Sequence, residues 1–270
     1  MSAEDFSPMM CVAEQLARKF ASLPQVEAVA LAGSRTTDFP DSDSDVDLYI
    51  YVTEDIPLEA RREIARGAER AEIGNTTWEP GDEWVDGETG TRVDVMYRHV
   101  GWIEEQLDRV LVRHEASVGY STCFWYNVLH SKPLFDHTGW FAAVQWSAQV
   151  KYPEELKQNI IGKNLRLLRS TQSSYLHQIE LALKRNDPVS VNHRVAALLA
   201  SYFDVLFAVN ELPHPGEKRL LQYAAKCTKR PPEMELQVRA VTGAVGGNED
   251  LVRRLNELTD GIEELMRGEA

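Results

Sequence analysis

Four aspartates stand on alternate positions, Asp41, Asp43, Asp45 and Asp47, and run directly into the apolar stretch VDLYIYV. A strand presents successive side chains to opposite faces. Val46, Leu48, Ile50 and Val52 therefore share one face, and Asp45, Asp47, Tyr49 and Tyr51 share the other. Carboxylates at that spacing repel one another, and such a cluster on a sheet costs stability unless something cationic offsets it. The segment thus predicts a strand with one core face and one face that calls for a cation.

The sequence around it is mixed in kind. Residues 4–22 carry apolar side chains at helical spacing (Met9, Val12, Ala13, Leu16, Phe20) and predict a helix ending before Pro24. Residues 26–31 are apolar and β-prone and run into Gly33-Ser34. Residues 57–72 predict a charged amphipathic helix, residues 81–90 a hairpin or loop, and residues 91–97 a strand with Asp94 on its polar side. Beyond residue 100 the pattern is helical: 101–113, 122–129, and 154–185 as one long helix or a pair broken near Gly162. Asp187-Pro188 forms an N-cap and first-turn pair for a helix that is apolar nearly all round, and two or three amphipathic helices follow a turn at 212–216. The fold class expected is α+β, a small mixed sheet with flanking helices followed by an all-α bundle. The boundary falls between residues 112 and 150 and is drawn at 1–115 and 116–270.

Charge narrows the partners. Residues 38–94 hold 17 Asp and Glu against 5 Arg, nearly the whole of the chain's net −13. A nucleic-acid binder carries the opposite, a basic stripe that releases counterions, so this balance argues against a nucleic-acid partner. Three scattered cysteines fit neither a disulfide framework nor a Cys-x-x-Cys zinc site and suit a reducing cytoplasm. No apolar run approaches a membrane span, and MSAEDFSPMM has no basic region ahead of an apolar stretch, so neither a membrane anchor nor a secretory signal is expected.

If the strands of Asp45, Asp47 and Asp94 are neighbours, three carboxylates converge on one patch. Such hard oxygen ligands suit Mg²⁺, with water and phosphate oxygens completing its shell. Gly33-Ser34 at the end of a strand offers backbone N–H groups and a hydroxyl to a phosphate, and Arg35 adds a charge-assisted contact. Together these suit in-line phosphoryl or nucleotidyl transfer at a two-metal site. An EF-hand fails because neither register of the aspartates supplies the required Gly at its sixth position. A sugar-transferase or haloacid-dehalogenase acidic motif would follow an apolar strand, whereas here it precedes one. The sequence has no GxxxxGK[ST] and no GxGxxG. Asp41 and Asp43 read best as a solvated acidic loop.

Gly33-Ser34, the run Ser44-Asp45-Val46-Asp47-Leu48 and the distal Asp94 together resemble the polymerase-β-type nucleotidyltransferase superfamily, over about residues 26–97. The helical half is similar to the C-terminal domains of bacterial kanamycin, streptomycin and lincosamide nucleotidyltransferases and their uncharacterised relatives. The resemblance implies that Asp45 and Asp47 hold Mg²⁺ shared with a triphosphate. Asp94 becomes a second-metal ligand or the base for the acceptor, and Gly33 and Ser34 hold the terminal phosphates. It also implies a helical-domain lysine on the triphosphate, for which Lys218 is the candidate, with Arg194 and Tyr223 behind it. His193 and Asp204 read as satisfied core polar groups. The spacer 36–42 lacks the small, Gly-containing form common in the family. An Arg-x(4–6)-His signature of related helical RNases is absent, since Arg169–His177 and Arg185–His193 each enclose seven residues.

The expected activity is transfer of a nucleoside monophosphate, ATP being the first donor to consider, onto a hydroxyl of a small-molecule acceptor, in a cleft between the two domains. An acidic site suits a cationic acceptor such as an aminoglycoside- or lincosamide-like compound. Nucleotidylation of a protein, as in antitoxin-type relatives, and a catalytically lapsed nucleotide binder are the alternatives. The sequence leaves dimerisation open.

Overall fold

The structure is a computed structural model and describes residues 8–33, 45–77, 79–245 and 250–269. It is α+β and divides into two compact units, residues 1–107 with 127–149 and residues 108–126 with 150–270. The first unit is built on β1 (Val26–Leu31) and β2 (Val46–Val52), which pair antiparallel, and on β5 (Arg92–His99), which pairs parallel with β2. A parallel pair needs a crossover. Here it consists of α2 (Leu58–Ile64) and the hairpin of β3 (Glu69–Asn75) and β4 (Gly81–Val85), β4 lying antiparallel against β5. With β6 (Lys132–Asp136) beside β1, the strand order among the described residues is β3-β4-β5-β2-β1-β6.

One face of this sheet is the core. Val46, Leu48, Ile50 and Val52 join Val93 and Val95 against Val12, Leu16 and Phe20 of α1 (Pro8–Ala21). At about 25 cal/mol per Å² of apolar surface, burying side chains of this size contributes about 1.5–3 kcal/mol each. That stabilisation anchors β2 and fixes which of its residues face away.

Three expectations change. The helix predicted over 57–72 is only α2. It ends by Ala65, Gly67 adopts φ +86, and residues 69–75 pair with β4 as an exposed, charged edge strand. Residues 127–149 return to the first unit, because β6 pairs with β1 and α5 (Trp140–Ala148) packs on the sheet. The simple division at 115/116 therefore differs from the observed one. The break in 154–185 falls at 170–174, between α6 (Glu154–Arg169) and α7 (Tyr175–Lys184), where Ser174 caps α7, and not at Gly162.

A buried charge cluster ties the crossover to the sheet. Asp82 is 1% exposed and receives Arg61 Nε at 2.9 Å, a second bond from Arg61 Nη2, the Gly74 N–H at 2.7 Å and the Tyr97 hydroxyl at 2.6 Å. The Arg61 guanidinium also lies 4.1 Å from the centre of the Tyr97 ring. Each Asp82 oxygen thus accepts two hydrogen bonds, which is the kind of satisfaction under which a buried ion pair is tolerated.

The second unit is helical. Its centre is α8 (Pro188–Val209), capped by Asp187, whose side chain accepts the Ser190 N–H at 3.0 Å, with Pro188 in the first turn as expected. It is packed by α6, α7, α9 (Leu220–Ala224) and α11 (Asp250–Glu269), while α10 (Met234–Gly243) lies against α11. The unit division falls within α3 (Val100–Leu111) and α4 (Cys123–His130). Asp204, 2% exposed on α8, accepts the Ser121 N–H at 3.0 Å, the Ser121 hydroxyl at 2.6 Å and Asn164 Nδ2 at 3.1 Å. Burial raises its pKa to about 6, against the opposing pull of the Ser121 bonds. One residue along, Thr122 Oγ1 accepts the N–H of His214, a fully buried imidazole whose pKa burial lowers to about 3.

These two groups act on stability in opposite directions. A buried carboxylate with a raised pKa contributes stability below its unfolded pKa of about 3.9 and loses it as pH rises through 6. A buried histidine with a lowered pKa contributes stability above about 6.5 and loses it as pH falls towards 3. Between about pH 4 and 6 the two slopes offset each other. Asp204→Asn removes one of them, so acidification from pH 6.5 to 5 should destabilise that variant by about 1 kcal/mol more than the wild type. Denaturant midpoints across pH measure this, and parallel curves for the two proteins would contradict it.

Candidate functional site

The sheet face opposite the core carries the candidate residues. The parallel register sets Asp47 of β2 beside Asp94 of β5, and residues paired in register project to the same face. Both are half-buried, as is Asp45, which immediately precedes β2. Asp94 has a second carboxylate neighbour, because Glu83 of β4 is its register partner on the other side, and Glu83 in turn pairs with Glu72 of β3. Asp47, Asp94, Glu83 and Glu72 thus form one row of carboxylates across four strands. Among the described residues no group of three or more His, Cys, Asp or Glu side chains is gathered so as to hold a metal ion. The adjacent Asp47 and Asp94 are the closest approach to the carboxylate cluster expected from the sequence.

Gly33 closes on this pair from β1. Its φ is +71, and a Cβ placed on it would overlap Asp47 Oδ2 and lie 2.7 Å from Asp47 Cγ. Only glycine meets both demands, a left-handed backbone and a carboxylate packed against the main chain. Ala32 N–H also bonds the Asp47 carbonyl at 2.9 Å, which holds the end of β1 to the start of β2. The cradle brings Gly33 and Asp47 together. Ser34, Arg35, Asp41 and Asp43 lie outside the described residues.

Further along the same face the sheet is covered. Tyr51 stacks on Phe141 and meets Trp140 edge-on, with centroids 5.0 and 5.3 Å away, both from α5. Arg98, buried, lies 3.8 Å over the Tyr49 ring and is held bidentately by Glu79, Nε and Nη2 each at 3.0 Å. Burial raises the pKa of Tyr49, with Arg98 opposing and Asp47 reinforcing the shift. A buried cation and an apolar cover thus stand behind the carboxylate pair. Arg98 carried no signal in isolation; its alternation with Tyr97 on β5, together with an upstream Glu79, was the clue available.

The helical candidates are placed separately. Lys218 and Arg194 are exposed, and Tyr223 is half-buried on α9, where the Tyr126 hydroxyl donates to its hydroxyl at 3.3 Å. Lys218 stands in the turn preceding α9, next to Arg219 at φ +58. Asp204 is a satisfied core group as expected. His193 is exposed on α8 and is not a core group, because it falls on the polar stripe Asn192-His193-Arg194 while Val191 and Val195 turn inward.

Repulsion across Asp47–Asp94–Glu83 should make the ligand-free site a cost to stability. Asp94→Asn is therefore expected to raise the ligand-free unfolding free energy by up to about 1 kcal/mol. Thermal and denaturant melts measure this, and a lower midpoint for the variant would contradict it.

No family model and no curated protein matches the chain. Among solved structures, a nucleotidyltransferase-like protein from Exiguobacterium sibiricum is similar over 94% of this chain and 74% of its own, at 13% identity and a TM-score of 0.44.

Proposed function

We propose that the protein is a Mg²⁺-dependent nucleotidyltransferase that moves a nucleoside monophosphate, from ATP in the first instance, to a hydroxyl of a small-molecule acceptor and releases pyrophosphate. The observation that carries this reading is Asp47 in register with Asp94, with Gly33 packed on the Asp47 carboxylate. The donor set fits the metal, since Mg²⁺ takes one or two carboxylates and completes its shell with water and substrate phosphate. Asp45 and Asp47 would hold it, with Asp94 at the second position. When bound, Mg²⁺ supplies positive charge against the triphosphate and makes the attacking hydroxyl more acidic.

The chain's own groups then have distinct tasks. Gly33 and Ser34 let the terminal phosphates approach the backbone closely, and Arg35 adds charge. Asp94, beside Asp47, takes the proton of the acceptor hydroxyl as its oxygen attacks the α-phosphorus and pyrophosphate departs in line. Lys218, Arg194 and Tyr223 are the helical unit's candidates for the polyphosphate on the resemblance alone. The carboxylate row continuing through Glu83 and Glu72 supports a cationic acceptor, with aminoglycoside- and lincosamide-like compounds among the candidates.

Thermal stability with each of the four NTPs, with and without Mg²⁺, tests the reading. One nucleotide should raise stability only with Mg²⁺, by about 2.7 kcal/mol at a hundredfold excess over its Kd. The rise should vanish in Asp45→Ala/Asp47→Ala. No response to any nucleotide would leave a lapsed site, and a response that survives the double substitution would place the nucleotide elsewhere.

A further inference from the structure

Ser121 stands between two acceptors for one hydrogen. Its hydroxyl donates to Asp204 Oδ2 at 2.6 Å, and the Ser117 carbonyl lies 3.4 Å from the same oxygen. In the other direction the Ser117 N–H donates to Ser121 Oγ at 2.9 Å. A hydroxyl gives one hydrogen and accepts up to two, so Oγ keeps a lone pair in reserve. The Ser117 carbonyl also has room, since it takes Asn164 Nδ2 at 3.0 Å and a carbonyl oxygen can accept twice. All these groups lie in the second unit. There Gly119 (φ +73) and Tyr120 (φ +56) form a left-handed turn tied to Asn164 of α6 at the Gly119 N–H and to Asp204 of α8 at the Ser121 N–H.

Asp204 is placed to exchange a proton here. Its three donors, the Ser121 N–H on Oδ1 and the Ser121 hydroxyl and Asn164 Nδ2 on Oδ2, are all neutral. A carboxylate buried among neutral dipoles is held in its charged form less firmly than one facing a cation, and burial raises Asp204 to about 6 against the Ser121 bonds. The titratable side chains that feel its charge are Tyr152, which precedes α6, and Tyr120 in the turn. Burial raises both phenols, so both stay neutral while a carboxylate titrates. Glu211 reaches Tyr152, and Glu217 and Cys123 reach Tyr120. His214, bonded to the neighbouring Thr122, is kept neutral by its own burial.

We propose that Asp204 and Ser121 form a proton switch in which one hydroxyl reverses its role. With Asp204 ionised, the Ser121 hydroxyl donates to the carboxylate. With Asp204 neutral, the carboxyl O–H donates to Ser121 Oγ, and the serine hydrogen turns to the Ser117 carbonyl. One solvent proton is added at Oδ2, one hydroxyl rotates, and no covalent bond breaks. Each hydrogen has an acceptor in both states, so the 117–121 turn stays fastened to α8 while the core takes up a proton. Acidification draws Ser121 Oγ onto the Ser117 carbonyl and tightens the turn.

The test follows the full chain from pH 7.5 to 4.5 by carboxyl carbon NMR, with Asp204→Asn identifying the Asp204 signal, and by amide hydrogen exchange at residues 117 and 121. In the wild type Asp204 should titrate with a midpoint of about 6, while protection of both amides, corrected for intrinsic rates, stays within about threefold or rises. A hydroxyl that serves both protonation states stabilises both, so Ser121→Ala should move the midpoint by less than about half a pH unit, and Ser121→Thr should behave as the wild type. A hydroxyl that only donates to the carboxylate favours the charged form alone, and its removal would then raise the midpoint by about one to two pH units. That result would overturn the proposal. So would a tenfold loss of protection at residue 121 as Asp204 protonates, or an Asp204 still ionised at pH 4.5. Should Ser121→Ala fail to fold, the wild-type titration and exchange decide.

Discussion

Two carboxylates held side by side on parallel strands are the constraint from which the rest of the first unit follows. Asp47 and Asp94 share a register on strands whose other face is buried in the core, so both side chains leave the sheet on the same side. Two carboxylates on neighbouring strands repel unless their surroundings or a cation offset the charge. The surroundings are arranged around that conflict. Gly33 gives up a side chain so that the main chain can lie on the Asp47 carboxylate, and Arg98 lies buried farther along the same face. An arrangement that costs folding energy at one place is what a ligand-dependent site looks like.

The second unit handles polar groups differently. Asp204, Asn164, Ser121 and Thr122 are buried, and each is bonded to a neighbour that needs it. The network fixes a loop with strained backbone, and through it a second loop that carries Lys218. Asp204 and His214 are both shifted by burial, but in opposite senses, so the unit keeps a carboxylate and an imidazole in its interior without a steep pH response over the range where both would titrate.

Much of this was legible in the sequence. The alternation of VDLYIYV and of TRVDVMY gave β2 and β5 and the faces their aspartates occupy, because the apolar half of each strand is buried. The cap Asp187-Pro188 gave the start of α8. What the sequence did not show depends on pairing across distance. Residues 69–72 have helical composition but are held as part of a strand by β4, and KPLFD becomes a strand by pairing with β1. Glu83 and Glu72 join the carboxylate row through register alone, which no local pattern announces. His193 looked internal because its helix is apolar overall, yet three consecutive polar residues there turn outward.

The central claim is that Asp45 and Asp47, beside Asp94, take a divalent cation carried by a nucleotide. Electron paramagnetic resonance of Mn²⁺, titrated with and without a non-hydrolysable ATP analogue, addresses it directly. The account predicts Mn²⁺ binding that strengthens with the analogue in the wild type and is lost in both Asp45→Asn and Asp47→Asn. Binding that is unchanged in either variant, or absent from the wild type with the analogue present, would contradict it.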